Sequence, residues 1–144
     1  MITAKAREWL GTPWQHNQRC KGYGVDCIRF IEAIASEAGF PVGEIPSNYS
    51  RSASETGLLD HLNRYAIALP LNKDAIGEDE ILVFKFGGVP HHLGFSTRLS
   101  DGRVGMIHAS SRDRKVVEHG LDDTWLRVLC ARYKLKNADK IKDQ

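Results

Sequence analysis

The apolar positions of the chain change period once, from helical in the first half to strand-like in the second. Between Thr3 and Leu10, the residues Ala6, Trp9 and Leu10 fall on one side of a helix, with Thr3 to cap it and Gly11 to close it. Residues 11–25 interleave Gly11, Pro13, Gly22 and Gly24 with polar residues and predict a loop. Helical spacing returns at Cys27, Phe30, Ile31, Ile34 and Ala38, which stand at i, i+3, i+4, i+7 and i+11. Asp26 is its N-cap, and Gly39 followed by Pro41 is its stop. This reading puts Cys27 in the first turn, on the apolar stripe. Residues 40–57 read as loop, and Leu58, Leu59, Leu62, Tyr65 and Ala66 form one side of a second amphipathic helix.

From residue 80 the period is that of strands: 81–86, 93–98, 104–109, a short 116–118, and a last strand over 127–135 after a helical turn at 121–126. Asp101-Gly102 marks a hairpin between the second and third. Helices first and antiparallel strands second predict an α+β domain, in which the Cys27 helix buries its stripe against the sheet. At 144 residues the whole chain, 1–144, reads as a single domain with a polar tail after about residue 136.

Composition narrows the function classes. Charged residues make up 26% and the net charge is +2, which gives no electrostatic case for a nucleic-acid partner. No apolar run is long enough for a membrane span, and the first residues lack the apolar core of an export signal. The expectation is therefore synthesis in the cytoplasm without a signal peptide. Cys20, Cys27 and Cys130 are odd in number and widely spaced, so they form neither a disulfide framework nor a CxxC metal pattern.

The candidate chemistry is a thiol on a helix start followed by two histidine segments, Pro90-His91-His92-Leu93-Gly94-Phe95 and Met106-Ile107-His108-Ala109. The positive end of a helix dipole and a nearby imidazolium both favour a thiolate. His92 and His108 flank the Asp101-Gly102 turn and are close across it, directly or one diagonal apart. One ring is then a base for Cys27, and the other accepts its second N–H and fixes the tautomer. Two other readings stay open on spacing alone. Cys27 also fits a small apolar core residue, and Cys27 with His91, His92 and His108 also fits a zinc site.

Five local words occur in order: Leu10-Gly11-Thr12-Pro13-Trp14, Gly24-Val25-Asp26-Cys27, Ile81-Leu82-Val83-Phe84, His92-Leu93-Gly94-Phe95 and Ile107-His108-Ala109. Together they resemble the NlpC/P60 family of papain-like cysteine peptidases of bacterial cell walls, from about residue 4 to residue 135. Gly11-Thr12-Pro13-Trp14-Gln15-His16, Gly105-Met106-Ile107-His108-Ala109, Val116-Val117-Glu118 and Trp125 look like the phage-encoded, tail-associated branch, also found in gene-transfer-agent clusters.

The resemblance implies a papain-like α+β fold with Cys27 as nucleophile, His92 as general base and His108 as the residue that orients it. It implies that Asp26 helps to bind the free amine of a substrate peptide; Trp14 and His91 are read as substrate-binding residues, His91 at the rim. Its chemistry is hydrolysis of amide bonds in peptidoglycan stem peptides, typically γ-D-glutamyl to diamino acid, with no metal and no cofactor. The implied partners are peptidoglycan peptides and phage tail proteins, and the implied location is the virion tail, acting at the cell wall.

The sequence departs from the pattern at two points. Ile28-Arg29 follows the nucleophile where the family often has Ser-Gly, and Trp14 stands where it often has a tyrosine, a proposed oxyanion donor. Gln15, His16 and Asn17 are the replacement candidates, beside the backbone N–H of Cys27. These departures keep two alternatives in view: a tail-assembly or tail-tip protein of the same fold with little or no activity, and an amidase or acyltransferase acting on another substrate. His61 and His119 read as solvated or capping residues, Cys20 as an exposed thiol in a Gly/Lys loop, and Cys130 as core of the last strand.

Overall fold

The computed structural model describes residues 1–45 and 57–136. The expectations for much of the 40–57 loop and for the tail after Lys136 lie outside these residues. Helix α1 (Ile2–Arg7) opens the chain and buries Ile2 and Ala6. The segment that follows holds a short antiparallel pair, β1 (Arg19–Cys20) and β2 (Gly24–Val25), inside what reads in the sequence as loop. Two-residue strands carry too little periodicity to be seen in a glycine-rich stretch.

Helix α2 (Cys27–Glu37) starts where the pattern puts it, because the Asp26 side chain accepts the Arg29 N–H at 2.8 Å. It ends as Gly39 turns left-handed at φ 84°. The helix is not a surface helix with one apolar stripe: every residue from Ile28 to Ala35 is buried. That includes Arg29 and Glu32, which pair at 2.6 Å. Arg29 also donates to the Ile45 carbonyl, and the Glu32 carboxylate accepts the Ile45 N–H. Arg29 and Glu32 are thus buried as satisfied partners, the condition under which burial is tolerable.

Helix α3 (Gly57–Tyr65) matches the second amphipathic pattern, burying Leu58 and Leu62. Ala66 does not continue it. Instead Ala66–Leu69 is β3, an edge strand that pairs with the last strand of the chain. Cross-strand pairing overrides the helical spacing at this point, which one segment read by itself does not reveal.

The remaining elements are β4 (Glu80–Phe86), β5 (Val89–Arg98), β6 (Val104–Ser110), β7 (Lys115–Gly120), α4 (Asp123–Val128) and β8 (Leu129–Leu135). The six longer strands form one antiparallel sheet in the order β3-β8-β4-β5-β6-β7. Alternation along the strands sends Ile81, Val83, Leu93, Phe95, Ile107 and Ala109 into the main core, which the first three helices cover. Phe30 of α2 meets Phe95 and Trp9 edge-on, each at 6.1 Å between ring centroids. The opposite face carries a smaller cluster of Leu82, Phe84, Met106 and Leu129 under α4.

Capping gives a first expected result. Asp26→Ala removes the bond to the Arg29 N–H and also the one from Asp26 Oδ2 to the Asn17 N–H at 2.6 Å. A lost cap costs about 1–2 kcal/mol. Thermal unfolding followed by circular dichroism should show Tm lower by roughly 3–8 °C.

Candidate active site

Cys27 is the first residue of α2, at the end where backbone N–H groups lack intrahelical partners. It is half-buried, and its Sγ lies 3.8 Å from the carbonyl oxygen of His91 on β5. Burial and the neighbouring Asp26 carboxylate push the thiol up to about 12, while backbone amides of Leu93, Ile28 and Cys27 itself work in the opposite direction.

The imidazoles come from the other side of the sheet. His92 pairs with Phe84 across the β4–β5 ladder, and the β5–β6 register matches Phe95 with Ile107 and Ser96 with Met106. That register leaves His92 and His108 one diagonal apart on the face that α4 covers. Gly94 makes the approach possible: a Cβ there would stand 3.1 Å from the His108 Cβ.

His92 Nε2 lies 2.7 Å from His108 Nδ1, with the two rings nearly perpendicular. The bond uses Nε2 of His92 and leaves Nδ1 as that ring's second nitrogen. His108 is 1% exposed, and its Nε2 lies 2.9 Å from Nε2 of His119 on β7. His119 Nδ1 is in turn 2.9 Å from the Gly120 carbonyl oxygen.

Trp125 of α4 packs on all three rings, at 5.7, 5.1 and 5.6 Å between centroids. Burial, reinforced by the neighbouring histidines, lowers His92 to about 4 and His108 to about 2. At neutral pH the resting site is therefore a protonated thiol beside neutral imidazoles. Burial thus works against the thiolate that a helix start favours.

Cys27, His92, His108 and His119 line one cleft of about 860 Å³, together with Trp14, His16, Asp26, His91, Arg112 and Trp125. That volume suits a segment of a peptide.

No family model and no curated protein matches the sequence. Solved structures do. An NlpC/P60 family protein from Bacillus cereus ATCC 10987 is similar over 93% of this chain and 39% of its own, with 20% identity and a TM-score of 0.67. The NlpC/p60 domain of peptidoglycan hydrolase SagA is similar over 93% of this chain and 96% of its own, with 18% identity and a TM-score of 0.60. The chain has the NlpC/P60 fold. An N-acetylmuramoyl-L-alanine amidase from Bacteroides uniformis ATCC 8492 shares it, at 13% identity and a TM-score of 0.65 over 94% of this chain and 97% of its own. The chain spans about two fifths of the length of the Bacillus cereus protein.

Within this NlpC/P60 fold the other candidates divide by position. Trp14 is on the cleft wall, bridged to Val25 and with the Arg114 guanidinium 5.9 Å above its ring. His16 and His91 also line the cleft, and His91 stacks edge-on with Phe86 at 5.5 Å. Asn17 sits at φ 58°, its N–H bound to Asp26 and its Oδ1 accepting from Arg29 Nε at 3.3 Å. Gln15 packs its Cβ and Cγ against Gly24, away from the cleft lining. Of Gln15, His16 and Asn17, only His16 faces the cavity. Asp26 lines the cleft but is 7% exposed, with each carboxylate oxygen already accepting a backbone N–H. Arg29 acts on the site indirectly, by fixing Asn17 and so the 15–17 turn beside Cys27.

Among the described residues, no group of three or more His, Cys, Asp or Glu side chains is arranged to hold a metal ion. No helix among them is long and apolar enough to cross a membrane. Cys20 is exposed and Cys130 half-buried, and both are free thiols.

Sequence reasoning missed His119, read as solvated or capping, and gave Trp125 no place in the site. The signal for His119 is present in the sequence. Extending the short 116–118 strand by two residues pairs His108 with Val117 and puts His119 on the same face, one diagonal away. His61, by contrast, donates to the Val42 carbonyl at 2.6 Å, far from this cleft.

Proposed function

We propose that this chain is a cysteine hydrolase of peptidoglycan that cleaves stem-peptide amide bonds, with the γ-D-glutamyl to diamino acid bond as its target. The observation that carries the reading is the placement of Cys27 at the start of α2, in one cleft with His92, whose Nε2 is held by His108. Similarity of fold to a peptidoglycan hydrolase and to a cell-wall amidase supports the substrate class.

With a neutral resting pair, the thiol proton leaves as the sulfur attacks. Cys27 Sγ adds to the amide carbonyl carbon while His92 Nδ1 takes the proton. The new imidazolium keeps its Nε2–H on His108 Nδ1. The oxyanion sits against the first N–H groups of α2, where the helix dipole favours negative charge. His92 returns its proton to the leaving amine, the C–N bond breaks, and a thioester remains on Cys27. Water then attacks the thioester with His92 as base, and the carboxylate product and the free thiol are restored.

The phage-like words of the sequence support a tail-associated protein that reaches the wall from a virion. A second reading, a tail-tip or tail-assembly protein with weak or no activity, is favoured by the departures at Trp14 and Ile28-Arg29, and burial of the Cys27 thiol works in the same direction.

Digestion of purified peptidoglycan, with the fragments resolved by mass spectrometry, separates the two. New γ-D-glutamyl carboxyl ends paired with free diamino-acid amines are expected. Cleavage between muramic acid and L-alanine would overturn the bond assignment, and intact muropeptides would leave the second reading.

A further inference from the structure

We propose that His119 is a positioning residue that sets the tautomers of His108 and His92, and that the Gly120 carbonyl fixes the direction of this three-imidazole relay. The inference rests on the proposed function, in which His92 is the base.

A carbonyl oxygen only accepts, so the 2.9 Å contact with Gly120 requires the His119 proton on Nδ1. In the neutral ring Nε2 is then an acceptor. His108 Nε2, 2.9 Å away, has to be the donor. That makes His108 Nδ1 an acceptor, so the 2.7 Å contact requires the proton on His92 Nε2. His92 Nδ1 is left with its lone pair, the form a base for Cys27 needs.

With all three rings neutral, the opposite direction fails at the end of the chain, because His119 Nδ1 without a proton would point a lone pair at the Gly120 oxygen. A neutral His108 by itself gives no such preference: it offers a donor or an acceptor on either nitrogen. Here the His119 ring and the Gly120 carbonyl supply that preference. Trp125 packs against all three rings and so holds their planes in place. When His92 takes the thiol proton, no other proton has to move: each ring keeps its N–H and the new charge is stabilised along aligned dipoles.

The test is the ring-nitrogen NMR of the full chain, uniformly labelled with ¹⁵N, near neutral pH, with assignments from single His→Gln variants. The expected pattern is Nε2–H for His92 and His108 and Nδ1–H for His119. His119→Phe keeps a flat ring against Trp125 but removes both hydrogen bonds. It is expected to mix the His108 tautomers and to lower kcat on muropeptides by about 10- to 100-fold with little change in KM. His119→Gln, whose amide oxygen can accept from His108 Nε2–H, is expected to restore the His108 Nε2–H form and most of kcat.

Nδ1–H on His108 in the wild-type protein would overturn the relay, as would His119→Phe with wild-type ring shifts and kcat. The wild-type spectrum decides the matter even if His119→Phe does not fold. A protein with the expected tautomers that cleaves no peptidoglycan would support the relay and count against the proposed substrate.

Discussion

Cys27→Ala is expected to lower the rate of muropeptide cleavage by about 10⁴- to 10⁶-fold while leaving the fold intact. The size follows from the chemistry. Without the sulfur no acyl-enzyme forms, and His92 is left to activate water in a cleft arranged for a covalent route. What survives is substrate binding and the helix-dipole contribution to the oxyanion. Alanine keeps the Cβ and removes a single heavy atom, so Tm should move by no more than a few degrees. Fragment release followed by liquid chromatography reads the rate, and thermal unfolding reads the fold. Retention of a rate within tenfold of wild type would remove Cys27 from the mechanism.

The second large effect is on stability against pH. His92 is lowered to about 4 and His108 to about 2 in the folded protein, from an ordinary value near 6.5. Below about pH 6.5 the unfolded chain binds protons that the folded site refuses, so stability falls as pH falls. Going from about pH 7 to about pH 5, the two rings together cost on the order of 4 kcal/mol, a large part of the stability of an ordinary domain.

The thiol acts at the other end. With Cys27 raised to about 12, the unfolded chain loses its proton first above about pH 9, and stability falls again there. Urea unfolding across pH should therefore give a maximum between about pH 6.5 and pH 9. His108→Phe should flatten the acid limb, because one buried neutral imidazole is gone. A wild-type acid limb no steeper than that of His108→Phe would contradict the burial of the relay.

Most of the architecture was legible because it rests on local signals. Asp26, the helical spacing from Cys27 and Gly39 define α2, and Asp101-Gly102 defines the β5–β6 hairpin together with the diagonal placement of His92 and His108. What escaped depends on distant partners. β3 exists because residues 66–69 pair with residues 132–135, and α2 is buried all round because Ile45 and Asn17 satisfy Glu32 and Arg29. The charge state of the site was hidden for the same reason. A cysteine at a helix start reads as thiolate-prone, but desolvation and Asp26 reverse that once the sulfur is packed. His119 lies outside the 116–118 strand that the pattern predicts, because β7 runs on to Gly120.

The measurement that bears most directly on the central claim is alkylation by iodoacetamide at mildly alkaline pH, with label position mapped by mass spectrometry and residual muropeptide cleavage measured on the same samples. Exposed Cys20 should label first without loss of activity, and activity should then fall in step with the label on Cys27. Full activity in protein whose Cys27 is completely labelled, or inactivation that tracks Cys20 instead, would contradict a nucleophile at Cys27.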